Sequence, residues 1–259
     1  MNIVVLVKQV PDSGAERTLK SDDFTVDRAS ASNVINEMDE YAIEEALRIA
    51  EAQGGEVTIL TVGPDRATES IRKALSMGPN GAVHVIDDAI AGSDAVQTSK
   101  VIAAALNTLE WDLVLAGAEA TDGRVQVIPH MVAERLGVAA LTGARKLTVE
   151  GDTKTVERQT DEGYEIVQAT GKAVVSVWDT INEPRYPSFK GIMAAKKKPV
   201  NTLSLADLGL GTDEVGAANA RTTVLSAQPR PARQAGTRVP DEGEGGVALV
   251  EFLASERFV

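Results

Sequence analysis

Short apolar runs alternate with longer segments of helical period along the first half of the chain. The apolar runs are NIVVLVK, EVTILTV, AVHVI and DLVLAG, and the helical segments cover residues 39–53, 66–77, 94–109 and 125–136. Apolar runs of this length, each followed by a 3.6-residue period, are typical of strand–helix units. Four such units in succession predict an α/β fold with a doubly wound, mostly parallel sheet and helices on both of its faces.

Residues that commonly begin or end helices agree with these units. Gly78 and Gly137 follow two of the helical segments, where a left-handed cap is expected. Asn36 and Ser93 precede two others and are suitable N-caps. The cap signals therefore support the same strand–helix boundaries.

After Leu141 the pattern changes to short runs in which polar and apolar residues alternate. The runs are ARKLTVE, KTVERQT, YEIVQAT and AVVSVW, and glycine-containing turns separate them. Such alternation between tight turns predicts antiparallel hairpins appended to the sheet.

Beyond Pro199 the sequence is rich in Gly, Pro and Ala, with Pro229, Pro231 and Pro240 close together. Short helices are predicted at 203–208 and 247–255, but no repeating pattern there would bury a core. We therefore expect an α/β domain over residues 1–199. Residues 200–259 are expected to form an extended arm that needs a partner chain to lie on.

Composition narrows the possible chemistry. The 259 residues carry a formal net charge of −12 and include no cysteine, which disfavours nucleic-acid binding and excludes disulfides, thiol nucleophiles and iron–sulfur clusters. The two histidines, His84 and His130, form no metal-binding motif. No apolar run approaches the roughly 20 residues of a transmembrane helix, and no signal-peptide pattern follows Met1. We expect a cytoplasmic protein without membrane insertion.

The best candidate for a ligand site follows the strand DLVLAG. The chain contains neither GxGxxG after its first strand nor a P-loop, but doubly wound sheets bind ligands at the carboxyl ends of their strands. A Thr-Asp-Gly turn lies within residues 117–124, before a helical segment. Free backbone N–H groups at the start of that helix, together with Arg124, could bind a phosphate. A helix cap by Asp122 explains the turn equally well.

Other polar residues give little indication of catalysis. His84 alternates with apolar residues in a strand and is interpreted as a structural strand position, and His130 lies in a helical segment beside Met131 and is interpreted as a surface or packing residue. Glu44 and Glu45 are adjacent on a helix, where neighbours do not share a face, and are interpreted as a solvated surface. No nucleophile–base pair can be assembled from these residues, so the chain is poor in catalytic groups of its own.

The segment NEPRYPSFKGIMAAKKK at 182–198 departs most from the rest of the chain. It carries five basic residues and no acidic one between Arg185 and Lys198, in an acidic protein. Pro184 and Pro187 stiffen the loop, and no neighbouring residue would bury Phe189. This pattern predicts a docking loop with an apolar anchor and steering charge; a solvated lysine-rich connection is the alternative.

Several of these segments resemble the beta subunit of electron transfer flavoprotein. They are IVVLVKQVPD, NEMDEYAIEEALRI, ATESIRKALSMG, the Thr-Asp-Gly turn, VERQTDEGYE and above all NEPRYPSFKGIMAAKKK. The resemblance covers nearly all of residues 1–199 and, more weakly, the tail. It implies an adenine-nucleotide-binding fold of the HUP type.

The family resemblance also implies a function through partners. It implies a heterodimer with an alpha subunit, in which FAD is held mainly by alpha and AMP is buried in this chain. The complex would carry electrons from acyl-CoA and related dehydrogenases to an electron transfer flavoprotein (ETF)-quinone oxidoreductase. The arm would wrap the alpha subunit.

Matching by position assigns two sets of residues. The cofactor-binding set, expected to line an AMP pocket, comprises Leu6, Asn36, Glu37, Met38, Asp39, Val62, Gly117, Ala118, Glu119, Ala120, Thr121, Asp122, Gly123, Arg124, Val125, Gln126, Val127 and Ile128. The partner-docking set comprises Tyr186, Phe189, Lys190, Ile192, Met193, Lys196, Lys197 and Lys198, with Phe189 as the anchor.

The chain departs from the family pattern in two places. Many members have small, hydroxyl or amide residues after the Asp-Gly turn, where this chain has Arg124-Val125-Gln126-Val127 and then Pro129. Lys172 stands where a proline is common.

Three alternative functions remain. An electron-bifurcating relative would hold a second FAD in place of AMP. A stress-protein-like nucleotide-binding module would need neither the 182–198 loop nor the tail, and an ATP pyrophosphatase would require a glycine- and serine-rich loop where Gln9 to Ser13 stand.

Overall fold

The apolar runs of the sequence form the strands of one large sheet in a computed structural model of the chain, which describes residues 1–228, 231–233, 236 and 238–259. Residues Met1–Leu225 form one compact unit and Ser226–Val259 a second. Pro229, one of the prolines of the expected arm, lies outside the described residues.

Strands and helices follow one another in the predicted order. The strands are β1 (Asn2–Leu6), β2 (Gln9–Pro11), β3 (Asn33–Ile35), β4 (Glu56–Val62), β5 (Gly81–Val85), β6 (Leu113–Gly117), β7 (Ala139–Glu150), β8 (Thr153–Thr160), β9 (Gly163–Thr170), β10 (Ala173–Val177) and β11 (Val200–Leu203). The helices are α1 (Glu37–Gln53), α2 (Thr68–Met77), α3 (Ala95–Leu106), α4 (Ile128–Leu136), α5 (Phe189–Ala195) and α6 (Gly245–Ser255).

Within the described residues the main sheet has nine strands in the order β11-β5-β4-β1-β6-β10-β7-β8-β9, and β2 pairs with β3 separately. β1 is central and runs parallel to β4 on one side and β6 on the other. The chain first builds outward from β1 through β4 and β5, then returns to β6. The strand order therefore reverses between β1 and β6, which is where doubly wound sheets bind ligands.

Helices cover both faces of the sheet, as the apolar pattern predicts. Neighbouring β1 residues such as Val4 and Val5 point to opposite faces and belong to two separate core clusters. One cluster joins the sheet to α1 and α2, and the other joins it to α3 and α4. The doubly wound, mostly parallel α/β fold is thus confirmed.

The antiparallel hairpins are confirmed for β7, β8 and β9 but not for the fourth run, AVVSVW. β7 pairs antiparallel with β8, and β8 with β9. β10 instead inserts between β6 and β7 and runs parallel to both. All five β10 residues are buried, and an uninterrupted buried apolar run is typical of an interior parallel strand.

The structure also differs from the predicted boundary at residue 199. β11 pairs in parallel with β5 and forms the outer edge of the sheet, and Leu205 and Val215 are buried in the second core cluster. Residues 200–225 thus belong to the first compact unit. The contact of the remaining arm with a partner chain stays a prediction.

Two of the four cap assignments needed correction. Gly137 has the expected left-handed conformation (φ 66°, ψ 34°), and Asn36 occupies the N-cap position of α1. Gly78 has φ 154° and ψ −30°, outside the left-handed helical region. The N-cap of α3 is Asp94 rather than Ser93, because Asp94 and Gln97 exchange hydrogen bonds in a capping box.

The second unit contains α6, whose apolar side chains Val247, Leu249, Val250 and Phe252 are all more than half exposed. Within the described ranges, no helix combines the length and apolar character needed to cross a lipid bilayer.

A buried lysine joins two turns of the antiparallel region. The side chain of Lys154 in β8 is 1% exposed. Its ammonium donates to the carbonyl oxygens of Asp152 and Gly171 at 3.1 and 2.7 Å and lies 3.2 Å from the Asp152 carboxylate. Since a buried ammonium is costly unless its donors are paired, these acceptors determine whether the lysine is tolerated.

We expect Lys154→Met to lower the free energy of unfolding by about 1–3 kcal/mol, because methionine keeps the stem but loses these hydrogen bonds. Urea unfolding of the purified protein measures the change. Lys146→Met, at an exposed position of β7, is the matched control and should stay within about 0.5 kcal/mol. A Lys154→Met protein at least as stable as the original would show that the cost of burying the ammonium exceeds its gain.

Candidate functional site

A cavity opens at the reversal point of the sheet, between the carboxyl ends of β1 and β6. Its volume is about 290 Å³, near the lower limit of about 300–1,000 Å³ for small-molecule sites. Its lining consists of Leu6, Val7, Lys8, Asn36, Asp39, Leu60, Val62, Ser93, Asp94, Ala95, Thr98, Ile102, Ala116, Gly117, Ala118, Glu119, Ala120, Gly123, Arg124, Val125, Gln126, Val127, Ile128 and Pro129.

The cavity brings together most of the cofactor-binding set. Four members of that set, Glu37, Met38, Thr121 and Asp122, do not line it. The main group that sequence reasoning missed lies at the beginning of α3, from Ser93 to Ile102. The capping box of Asp94 and Gln97 was a readable sign of that helix start, but the local sequence does not show that it faces β6.

Asn36 connects three of the segments that frame the cavity. Its side chain is fully buried and donates to the Asp39 carboxylate and to the Glu119 carbonyl, both at 2.9 Å. Its own carbonyl oxygen accepts from the Thr121 N–H at 3.1 Å, and its backbone N–H donates to the Lys8 carbonyl. The ends of β1 and β6 and the start of α1 are therefore fixed relative to one another.

Asp39 is a buried carboxyl beside this asparagine. It accepts hydrogen bonds from the Lys8 N–H at 2.8 Å and from Asn36. Burial nevertheless raises its pKa to about 7, against the opposing effect of these donors. The cavity therefore contains a carboxyl group that titrates near neutral pH.

Gly117 allows α1 to approach the end of β6 closely. A Cβ atom at this position would lie 2.6 Å from the Asp39 Oδ1 atom and 2.6 Å from the Met38 Cβ atom. Any side chain would force α1 away from the strand, so glycine is needed for space rather than for backbone freedom.

Asp122 has a different role from the two considered in the sequence. Its side chain is buried and accepts from the Lys8 ammonium at 2.8 Å and from the Arg28 guanidinium at 2.6 and 2.9 Å. Burial acts to raise its pKa, but the two cations outweigh burial, so the pKa is lowered. Asp122 neither caps α4 nor faces the cavity; it ties the loop containing Arg28 to the turn.

The turn from Arg124 to Val127 lines the cavity and carries main-chain N–H groups. Arg124 and Gln126 have positive φ angles of 50° and 60°, and Val127 returns to the right-handed region before α4 begins. A left-handed residue followed by a right-handed one points successive N–H groups into one concavity that favours anions. Among the described residues, the N–H groups of Val125, Gln126 and Val127 have no protein acceptor.

The histidines lie where the sequence placed them. His84 is buried in β5, and its Nε2 atom is 3.1 Å from the Gly63 carbonyl. His130 lies in α4, with Nδ1 3.2 Å from the Gln126 carbonyl and Nε2 2.9 Å from the Thr142 hydroxyl.

The predicted docking segment projects its apolar residues into solvent. Tyr186 is 94% exposed and Phe189, the first residue of α5, is 80% exposed. Ile192 and Met193 follow at helical spacing and are about half exposed. Phe189, Ile192 and Met193 form an apolar face on a short helix rather than on an irregular loop, because the Ser188 hydroxyl accepts from the Gly191 N–H and caps α5. Tyr186 lies just before this helix.

Two of its five cations are used inside the protein. Arg185 binds the carboxylates of Glu44 and Glu51 on α1 at 2.7 and 2.5 Å, and these bonds raise its pKa. The Lys198 ammonium donates to the carbonyls of Leu75 and Gly78 at the end of α2. The exposed cations are therefore Lys190, Lys196 and Lys197.

The interpretation of Glu44 and Glu45 as a solvated surface was wrong. Both residues are buried, at 6% and 7% exposure. Glu44 pairs with Arg185, and Glu45 accepts from the Asn182 side chain at 3.0 Å. Both partners lie about 140 residues away in sequence, so the local helical pattern gave no sign of them.

The amino-acid sequence is similar to those of known proteins. The family model described as electron transfer flavoprotein domain matches residues 23–208. The chain is 53% identical over 264 residues to the electron transfer flavoprotein subunit beta of Mycobacterium tuberculosis (strain ATCC 25618 / H37Rv), covering 100% of this chain and 99% of the relative. It is 36% identical over 258 residues to the protein of the same name in Bacillus subtilis (strain 168), covering 99% and 98%.

The titration of Asp39 gives a testable dependence of stability on pH. Its pKa is about 7 in the folded protein against a reference value of 3.8, so the folded state binds a proton that the unfolded state lacks between those values. The stabilisation is complete below the unfolded pKa and is lost as the pH rises through about 7.

We expect the stability of the original protein, relative to that of Asp39→Asn, to decrease with pH by up to about 1.4 kcal/mol per unit between pH 4.5 and 7. Urea unfolding of both proteins across this range measures the difference, and other carboxylates cancel in it. Parallel profiles would show that the buried Asp39 carboxylate is already charged throughout.

Proposed function

The chain belongs to the electron transfer flavoprotein family, as a beta subunit, and on that basis we propose that it pairs with an alpha subunit and carries electrons from acyl-CoA and related dehydrogenases to a quinone oxidoreductase. The full-length similarity to beta subunits supports the heterodimer. In this proposal FAD is held mainly by the alpha subunit, and this chain completes the FAD site.

We propose that the cavity between β1 and β6 binds AMP as a structural nucleotide. Its position at the reversal point of the sheet and the N–H groups of the turn before α4 support a phosphate-bearing ligand. Its volume of about 290 Å³ favours a mononucleotide, because a second FAD would bring a flavin and a further phosphate into the same space.

The cavity is better suited to binding than to acid–base catalysis. Of its five ionisable lining side chains, Lys8, Asp39, Asp94 and Glu119 are hydrogen-bonded to other protein groups, and the fifth, Arg124, stays charged and does not exchange a proton. A general acid or base must be within reach of substrate with a proton to exchange. Four engaged groups around an apolar cavity instead support a carrier subunit whose redox chemistry belongs to the flavin.

We propose that the apolar face on α5 docks the dehydrogenases. The exposed Phe189 on a segment held by Arg185 and Lys198 is the observation that carries this part of the proposal. A side chain on a backbone that is already ordered before binding loses less entropy on association. Lys190, Lys196 and Lys197 would steer a negatively charged partner toward it.

The first test is the cofactor content of the complex. We expect this chain expressed alone to bind no flavin, whereas coexpression with an alpha subunit should give a yellow heterodimer. Extraction and chromatography should then recover one FAD and one AMP per heterodimer. Two FAD would refute the AMP assignment, and a stable flavin-free monomer with ATPase activity would refute the carrier function.

The second test concerns Phe189. We expect Phe189→Ala to raise the KM of the complex for its dehydrogenase roughly 10- to 100-fold. Burying the phenylalanine side chain contributes about 1.5–3 kcal/mol to binding, and alanine loses this contribution. Flavin content should not change. Ile166→Ala, at an exposed position of β9 that is 74% exposed, is the matched control and should leave the KM unaltered. An unchanged KM for Phe189→Ala would remove the anchor role.

A further inference from the structure

The turn that faces the cavity has a conformation that its residues do not favour by themselves. Arg124 and Gln126 both have positive φ angles, which are unfavourable for residues that carry a Cβ atom. Such conformations persist where surrounding contacts determine them, and they concentrate at ligand sites. The contacts of Gln126 therefore identify what maintains the turn.

Gln126 is held at both its side chain and its main chain. Its side-chain amide donates to the Glu119 carboxylate at 2.9 Å. Its backbone carbonyl lies 3.2 Å from Nδ1 of His130, four residues later in α4. Because a carbonyl oxygen only accepts, Nδ1 carries the proton and donates it.

Thr142 holds the other nitrogen of the His130 ring. The Thr142 hydroxyl, which can donate or accept, lies 2.9 Å from Nε2. Thr142 belongs to β7 and is 9% exposed. The histidine is thus anchored to the sheet and bonded to the carbonyl of a strained residue.

The side chains of the turn offer little alternative for binding a phosphate. The side chains of Val125 and Val127 carry no hydrogen-bond donors. The Arg124 side chain is 70% exposed, and its guanidinium lies 3.9 Å from the Glu119 carboxylate. The main-chain N–H groups are therefore the chief donors, and their direction depends on the left-handed conformation of Gln126.

We propose that His130 is a positioning residue that holds Gln126 in this conformation and so keeps the N–H groups of Gln126 and Val127 directed at the phosphate of the bound nucleotide. This inference rests on the proposed binding of AMP in the cavity. His130 itself does not line the cavity, so it acts through the backbone of the turn.

The test compares AMP with adenosine, which lacks the phosphate. The heterodimer is stripped of nucleotide and titrated calorimetrically with each ligand, and FAD content confirms that the complex is assembled. We expect His130→Ala to weaken AMP binding about tenfold or more, equivalent to 1.4 kcal/mol, while adenosine binding stays unchanged. Equal losses for both ligands, or no loss for AMP, would overturn the role of His130.

A second substitution separates positioning from a general packing defect. Glycine adopts positive φ angles without the cost of a Cβ atom, so Gln126→Gly should restore AMP affinity in the His130→Ala background. Gln126→Ala, which keeps the Cβ atom, is the matched control and should not restore it. Failure of the glycine to restore binding would overturn the proposal. If the unaltered heterodimer binds neither ligand, the nucleotide assignment itself fails.

Discussion

One buried asparagine side chain holds the ligand-binding edge of the sheet together. Asn36 bonds to the Asp39 carboxylate, the Glu119 carbonyl and the Thr121 N–H. Each polar atom of this side chain has a hydrogen-bond partner, so the cost of burying the amide is offset. The three bonds can form together only when the bonded segments keep their present positions. The width of the cavity between β1 and β6 depends on this arrangement, because the bonded segments are its walls.

Helix α1 connects this edge to the segment that carries the apolar face of α5. Its first turn contributes Asp39 to the cavity, and further along it Glu44 and Glu51 bind Arg185. The segment that carries Phe189 is thus attached to the same helix that frames the cavity. A defect in docking therefore need not originate in residues 182–198, since displacement of α1 would move Arg185 as well.

The sequence predicted what depends on local pattern and missed what depends on distant partners. Continuous apolar runs sufficed for the parallel strands, whereas the space that Gly117 leaves for α1 was missed because Met38 and Asp39 lie far away in the sequence. β10 was misassigned because a short run between turns has the same local pattern in a hairpin and in an interior strand. Glu44 was misread because its partner Arg185 lies 141 positions away, and no helical period encodes such a contact.

The cations of residues 182–198 fall into an exposed group and a group bonded inside the protein, and the two groups should respond differently to ionic strength. Lys190, Lys196 and Lys197 are exposed, so their attraction for a partner is screened within about 10 Å at 0.1 M salt. The bonds of Arg185 to the carboxylates of Glu44 and Glu51 are short and partly shielded, and screening affects them less. If partners dock as proposed, added salt would therefore slow their encounter while leaving the shape of the apolar face on α5 intact.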